Sequence, residues 1–237
     1  MNEINSFKKG IIDGFPICLG YLSVSFAFGI FAIANGLSVA ESVLISMANV
    51  TSAGQLAAVP IITGGGTLIE LVMTQLIINL RYALMSVSLS QKLGKSMRMV
   101  DRFLVAFVNT DEVFAVASGQ KGKVGRKYLY GLILTPYLGW SLGTLLGAAA
   151  GNIFPAVVIS ALGVAIYGMF VAIVVPPMKR SRPLVVCVLI AVGLSCAFWY
   201  IPVLKAVPQG FVIILCAVVA SAVMAVIAPV KEVAPHA

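Results

Sequence analysis

The sequence predicts an all-α fold: a polytopic bundle of membrane-spanning helices, with about seven spans in a range of six to eight. Three observations carry this reading. Of 237 residues, 60% are hydrophobic and only 10% are charged, with a mean hydropathy of +1.06; an average soluble domain is about 45–50% apolar and about 25% charged. Apolar runs of the ~20 residues that a span requires follow one another along the chain. The excess of Lys and Arg, 16 against 8 Asp and Glu, is gathered into short connecting segments, as expected of cytoplasmic loops. So little charge leaves no polar coat for a water-facing globule. An ordinary soluble enzyme, a nucleic-acid-binding domain and a disordered chain are thereby excluded, and the net charge of +8 reads as a loop signature rather than a nucleic-acid footprint.

Taken in order, Lys8, Lys9 and Asp13 precede or open an apolar run over 15–34. That run is too long for a signal-peptide core and no small-residue cleavage site clearly follows, so it reads as an uncleaved first span. A second apolar stretch covers 39–62 and a third 67–89, separated by the turn Gly64-Gly65-Gly66. The chain turns basic over 91–102 (Lys92, Lys95, Arg98, Arg102). Residues 103–118 are then moderately apolar but interrupted by Asn109-Thr110-Asp111-Glu112. A second basic loop carries Lys121, Lys123, Arg126 and Lys127, and further spans read at 128–150, 153–175, 183–201 and 207–228. Lys179, Arg180 and Arg182 precede the third of these, and Lys231 follows the last.

The charges place both termini on the cytoplasmic side, with one conflict. Three full spans from an inside start would put 92–102 outside. Either 103–118 crosses the membrane, giving about eight spans and one loop that breaks the rule, or a first-half segment is broken or re-entrant and the spans number about seven or fewer. A gapless shift of ~116 residues superposes Tyr21-Leu22 on Tyr137-Leu138, Ser25 on Ser141 and Pro60 on Pro176. It suggests, within a single transmembrane domain (1–237), duplicated halves 15–91 and 131–203 joined by a basic linker that contains the broken or re-entrant segment 103–118.

Polar residues inside the spans mark candidate sites. On the third span Glu70, Thr74, Arg81 and Ser88 share one helical face, with Gln75 and Asn79 nearly opposite, so this helix is buried among others or lines a wet cavity. A mid-span arginine costs roughly 2.5–3.5 kcal/mol on insertion scales and needs a partner. Arg81 is either half of a packing salt bridge or part of a substrate or coupling site, where its planar fork suits a carboxylate. The run 49–55 is rich in small and amide-bearing residues, fitting a close helix contact or an unwound stretch whose freed backbone groups bind substrate. Asp111 and Glu112 are a solvated pair, a neutraliser of Arg81, or proton carriers. Glu41 is interfacial; Tyr128, Tyr130, Trp199 and Tyr200 fit an aromatic belt. Gly139, Gly143 and Gly147 line one helix face that packs either on another span or on a partner. Cys18, Cys187, Cys196 and Cys216 lie in apolar runs without zinc or disulfide spacing, and His236 is the single histidine. With no nucleophile–base motif, no metal-ligand cluster and no cofactor motif, an enzyme is not expected.

Three segments then carry a resemblance. Ser52-Ala53-Gly54-Gln55-Leu56-Ala57-Ala58, Ile78-Asn79-Leu80-Arg81-Tyr82-Ala83-Leu84-Met85 and Thr110-Asp111-Glu112 resemble, in this order and spacing, the AzlC family of bacterial inner-membrane proteins. Leu56 stands where that family usually has Phe, and Tyr82 where it often has His. The resemblance implies a multi-pass inner-membrane exporter of branched-chain and other hydrophobic amino acids (leucine, isoleucine, valine, methionine) and of toxic analogues such as azaleucine. It also implies a small AzlD-like membrane partner of about four spans. On this reading Arg81 holds the substrate carboxylate; Asp111 or Glu112, with Asn79 or Gln55 and near Ser52, holds the ammonium; Asp111, Glu112 and Glu70 are candidates for proton coupling. A channel or a non-transporting membrane scaffold is the alternative.

Overall fold

The computed structural model describes residues 3–151, 153–155, 157, 168, 171, 174–179 and 181–229. Helices α1 (Phe7–Ala34), α2 (Val39–Ala48), α3 (Ser52–Thr63), α4 (Leu68–Ser90), α5 (Met99–Phe107), α6 (Asp111–Gly119) and α7 (Arg126–Gly151) form the first part. Helices α8 (Arg182–Tyr200) and α9 (Gln209–Ile227) follow, joined by a 3₁₀ turn over Pro202–Ala206. Two short strands, β1 (Glu3–Ile4) and β2 (Lys123–Val124), pair in parallel. Among the described residues five helices, α1, α4, α7, α8 and α9, are long and apolar enough to cross a membrane. The span expected over 153–175 and His236 fall largely or wholly outside the described residues, as does part of the repeat half 131–203.

The framework is the pair α1 and α7. Each carries an interior proline and a glycine stripe. A Cβ on Gly139 would lie 2.6 Å from the carbonyl oxygen of Cys18, and one on Gly143 would lie 2.5 Å from that of Leu22. Gly147 meets Phe26, and Gly10 meets Gly131. Residue numbers rise together along both helices, so α1 and α7 run parallel at backbone contact, which small residues permit. The glycine face of α7 is therefore internal and packs on α1, not on another protein. Tyr128, expected at an interface, is fully buried in this seam; its hydroxyl donates to Asp13 at 2.8 Å.

One end of the bundle is tied together by backbone. Glu3 and Ile4 pair with Lys123 and Val124. Leu93 bridges to Val124, Gly94 N donates to Val124 O at 2.8 Å, and Arg126 N donates to Ser96 Oγ at 3.0 Å. The N-terminus, the basic segment after α4 and the basic segment before α7 thus share one end. With α1 and α7 parallel and α4 returning between them, neither 39–62 nor 99–119 can be a full crossing.

Both segments are bent hairpins. The stretch expected as one second span breaks at 49–51, where Asn49 and Thr51 are extended (φ −135° and −147°). α2 descends from the far end of α1. α3 climbs back to the turn before α4, where Gly65 adopts φ +71°, a left-handed conformation that glycine reaches without a Cβ clash. Ser46 Oγ donates to Gln55 at 2.9 Å across the bend, too close for a continuous helix with a rise of ~1.5 Å per residue. From the opposite end, α5 runs beside the last part of α4, breaks at 108–110, and α6 returns along α1: Glu112 bonds Tyr21, while Gln120 bonds Asp13 at 3.2 Å. This double re-entry removes the charge conflict: the basic loops stay together and the chain turns back where a third full crossing would have separated them.

Candidate functional site

The two bends meet half-way along α1, α4 and α7, around a cavity of about 920 Å³. Its walls include Ile17, Tyr21 and Val24 of α1, Ile78, Arg81 and Tyr82 of α4, and Trp140 of α7. Val50, Thr51, Ser52 and Ala53 enter from the first bend, and Thr110, Asp111 and Glu112 from the second. Tyr21 and Trp140 stack edge to face with centroids 5.1 Å apart. The walls are mostly apolar and the polar groups few and convergent, as in small-ligand sites generally.

Each bend is held by α4. Asn49 donates to Gln75 Oε1 at 2.9 Å, and Gln75 Nε2 donates to Gly54 O at 2.8 Å; Asn109 donates to Ser86 at 3.0 Å. These amides occupy backbone and side-chain groups that an interrupted helix would leave unpaired in an apolar medium. A Cβ on Gly54 would lie 2.6 Å from Gln75 Oε1, so glycine here leaves room for the amide to reach the bend.

The charges gather on one side of the cavity. Arg81 Nη1 lies 2.8 Å from Asp111 Oδ2, and Nη2 donates to the Tyr82 hydroxyl at 3.0 Å. The guanidinium also lies over the Tyr82 ring, 4.8 Å from its centroid. Asp111 is the first residue of α6 and Glu112 the second. Carboxylates there sit in the favourable field of a helix N-terminus. Glu112 accepts a hydrogen bond from the Tyr21 hydroxyl. Arg81 and its neighbours thus form one ion-pair network at mid-height, facing a cavity with ample room for a small molecule.

Not every residue singled out from sequence reaches this place. Ser52, Arg81, Asp111 and Glu112 line the cavity. Gln55 is fully buried between Ser46 and α7, beside the Ser46–Thr144 hydroxyl pair. Asn79 turns to Gln75 at 3.2 Å. Glu70 lies far along α4, where it accepts a hydrogen bond from Gly210 N at 2.7 Å and so caps the start of α9. Tyr21, Tyr82 and Thr51, absent from the sequence-based candidates, do line the cavity. Tyr82 was legible as the neighbour of Arg81, and Thr51 as part of the run 49–55, whereas nothing local distinguishes Tyr21 from any other aromatic in an apolar helix. Outside the membrane-spanning segments, hydrogen bonds from Arg98 and Tyr130 hold the Asp101 carboxyl well below the usual carboxylate range. This fixes the entry of α5 at the basic end.

Comparison with known proteins agrees with this architecture. The sequence model of the family described as AzlC protein matches residues 16–154, which contain both hairpins and every cavity residue named above. A membrane protein of Archaeoglobus fulgidus, described as uncharacterized, is 33% identical over 175 residues, covering 73% of this chain and 76% of its own. The inner membrane protein YgaZ of Escherichia coli K12 is 29% identical over 189 residues, covering 76% and 77%. A further membrane protein, from Helicobacter pylori, is 25% identical over 166 residues, covering 64% and 68%. No solved structure matches the chain. The chain is a multi-pass membrane protein with a transport-related role and belongs to the AzlC family.

Proposed function

We propose that this chain is a secondary transporter that exports branched-chain and other hydrophobic amino acids, with analogues such as azaleucine, across the inner membrane. The observation that carries the reading is the mid-height cavity, where the Arg81–Asp111 pair and Glu112 face apolar walls. A zwitterion with an aliphatic side chain needs this combination: charged and polar groups around its two ends and an apolar surface for its chain. Pocket size discriminates single methylenes by only ~1–3 kcal/mol, so leucine, isoleucine, valine and methionine compete. Two bends that reach the cavity from opposite ends suit alternating access, because either hairpin can yield without the other. Proton coupling falls to Asp111 or Glu112, the carboxylates at the cavity. The shared basic end is the cytoplasmic one by the positive-inside rule, and the same rule assigns both termini to the cytoplasm.

A small AzlD-like membrane protein of about four spans completes the exporter. Since the glycine face of α7 is occupied by α1, this partner docks elsewhere on the bundle.

The test is uptake of labelled leucine into inverted vesicles, or its efflux from preloaded right-side-out vesicles, carrying the chain with and without its small partner. Leucine export that depends on the chain, and falls below detection for Arg81→Ala while the protein still inserts, is the expected result. Full export by Arg81→Ala, or no leucine movement with both proteins present, removes the reading.

A further inference from the structure

We infer that the uncapped N-terminus of α3, with the Thr51 hydroxyl, receives the carboxylate of the substrate, while Glu112 at the start of α6 receives its ammonium. This deepens the exporter reading and rests on it. The two hairpins each present the N-terminus of a helix to the cavity, but the two ends are chemically opposite. At α6, Thr110 caps the helix by accepting from Val113 N at 3.4 Å, and two carboxylates fill the first turn. At α3, Thr51 occupies the N-cap position yet makes no capping bond, and the first turn contains no acidic residue.

The first bond inside α3 runs from Gln55 N to Thr51 O at 3.0 Å. The amides of Ser52, Ala53 and Gly54 precede it and have no partner within the helix. Helix N-termini with free amides and about half a positive charge are ready anion sites. In transporters with interrupted helices such ends meet anionic substrate groups.

The second, independent sign is Thr51 itself. It is only 4% exposed and lines the cavity, and its Oγ1 has no hydrogen-bond partner. A buried hydroxyl left unpaired is destabilising, and a bound carboxylate would relieve it by accepting from it. Arg81 is the competing anion site, but its guanidinium is already engaged by Asp111 on Nη1 and by the Tyr82 hydroxyl on Nη2. Its role is to neutralise Asp111, so that Glu112 remains as the unneutralised carboxylate at the cavity.

The test measures binding of labelled leucine to the purified full-length chain in nanodiscs, with competition by unlabelled leucine and by 3-methylbutylamine, which is leucine without its carboxylate. Ser52→Pro deletes one free amide at the first helical position, where proline is tolerated. Thr51 before it is already extended (φ −147°, ψ 121°), as a residue preceding proline prefers. Thr51→Val removes the hydroxyl at constant shape, and Thr51→Ser keeps it.

Expected: Ser52→Pro and Thr51→Val each weaken leucine about tenfold, the loss of one charge-assisted hydrogen bond, and leave 3-methylbutylamine unchanged. Thr51→Ser keeps the wild-type preference for leucine over the amine. If that preference survives both Ser52→Pro and Thr51→Val, the carboxylate is held elsewhere in the cavity and this inference is overturned while the exporter reading stands. If the wild-type chain binds no aliphatic amino acid, the exporter reading fails and takes the inference with it.

Discussion

The Arg81–Asp111 pair joins the middle of α4 to the tip of the second hairpin, and a double-mutant cycle measures what that link contributes. At the observed separation of 2.8 Å, two unit charges attract by roughly 6 kcal/mol at an effective dielectric of 20 and by roughly 1.5 kcal/mol in water. The side chains are 50% and 46% exposed to the cavity, so partial hydration and the ordering of two flexible side chains consume most of the larger figure. Exposed pairs are worth about 0.2–1 kcal/mol and hydrogen bonds to charged groups about 1.5–3 kcal/mol; a coupling energy of about 1–2 kcal/mol lies between. Arg81→Gln and Asp111→Asn each leave a lone charge at mid-membrane, and their combination removes both. The double variant should therefore unfold at lower cost than the sum of the singles. Denaturation of the purified chain in mixed micelles reads the cycle. Effects that add to within about 0.3–0.5 kcal/mol would show that the two charges do not act as a pair.

The glycine seam predicts that Gly143→Leu destabilises the isolated chain by more than about 3 kcal/mol, since its Cβ alone would lie 2.5 Å from the Leu22 carbonyl oxygen and backbone cannot rearrange as a side chain does; unchanged thermal stability would show that α7 does not pack on α1. Single cysteines at Lys95 and Lys121, in a background lacking the natural cysteines, should react with an impermeant maleimide from the same face, and one at Gly65 from the opposite face; labelling of Lys95 and Lys121 from opposite faces would undo the second hairpin. Glu70→Ala should destabilise by about 1–2 kcal/mol through loss of the cap on α9, whereas Glu70→Gln, which still offers an oxygen to Gly210 N, should lose less; equal losses in thermal unfolding would show that Glu70 acts only through its charge.

The fold class was legible because composition decides it: a chain with this little charge has no soluble solution. The spans α1, α4, α7, α8 and α9 were legible for the same reason, each being an unbroken apolar run. The break in the second stretch was not, since 39–62 is long enough and apolar enough to cross. What breaks it is Gln75, one helix away, which takes the Gly54 carbonyl and the Asn49 amide; such a partner lies outside any local window of sequence. In the second hairpin the polar run 109–112 did announce the break, because carboxylates within an apolar segment have few places to go. Arg81 was legible as a residue that needed a counter-charge, and Asp111 supplies it. Gln55 and Asn79 were polar for a different reason, holding the first bend and the helices around it, and sequence periodicity does not distinguish a side chain that pins a backbone from one that meets a cavity. The glycines of α7 showed that a close contact exists but not with which helix, because a stripe of small residues fits any backbone that reaches it.

Breaking two helices inside an apolar layer removes intrahelical hydrogen bonds where no bulk water replaces them, and unsatisfied groups there cost several kcal/mol each. This chain limits that cost by giving one helix the task of satisfying both breaks. Gln75 serves the first and Ser86 the second, and Arg81 lies between them in sequence, roughly 16 Å of helix separating the two anchors at ~1.5 Å per residue. The polar content of α4 thus holds the two interrupted hairpins at fixed heights on either side of Arg81. Among the groups that α4 leaves unserved are the amides at the start of α3 and the Thr51 hydroxyl. They border the mid-height cavity, so part of the residual cost of the broken fold lies where a bound molecule can remove it.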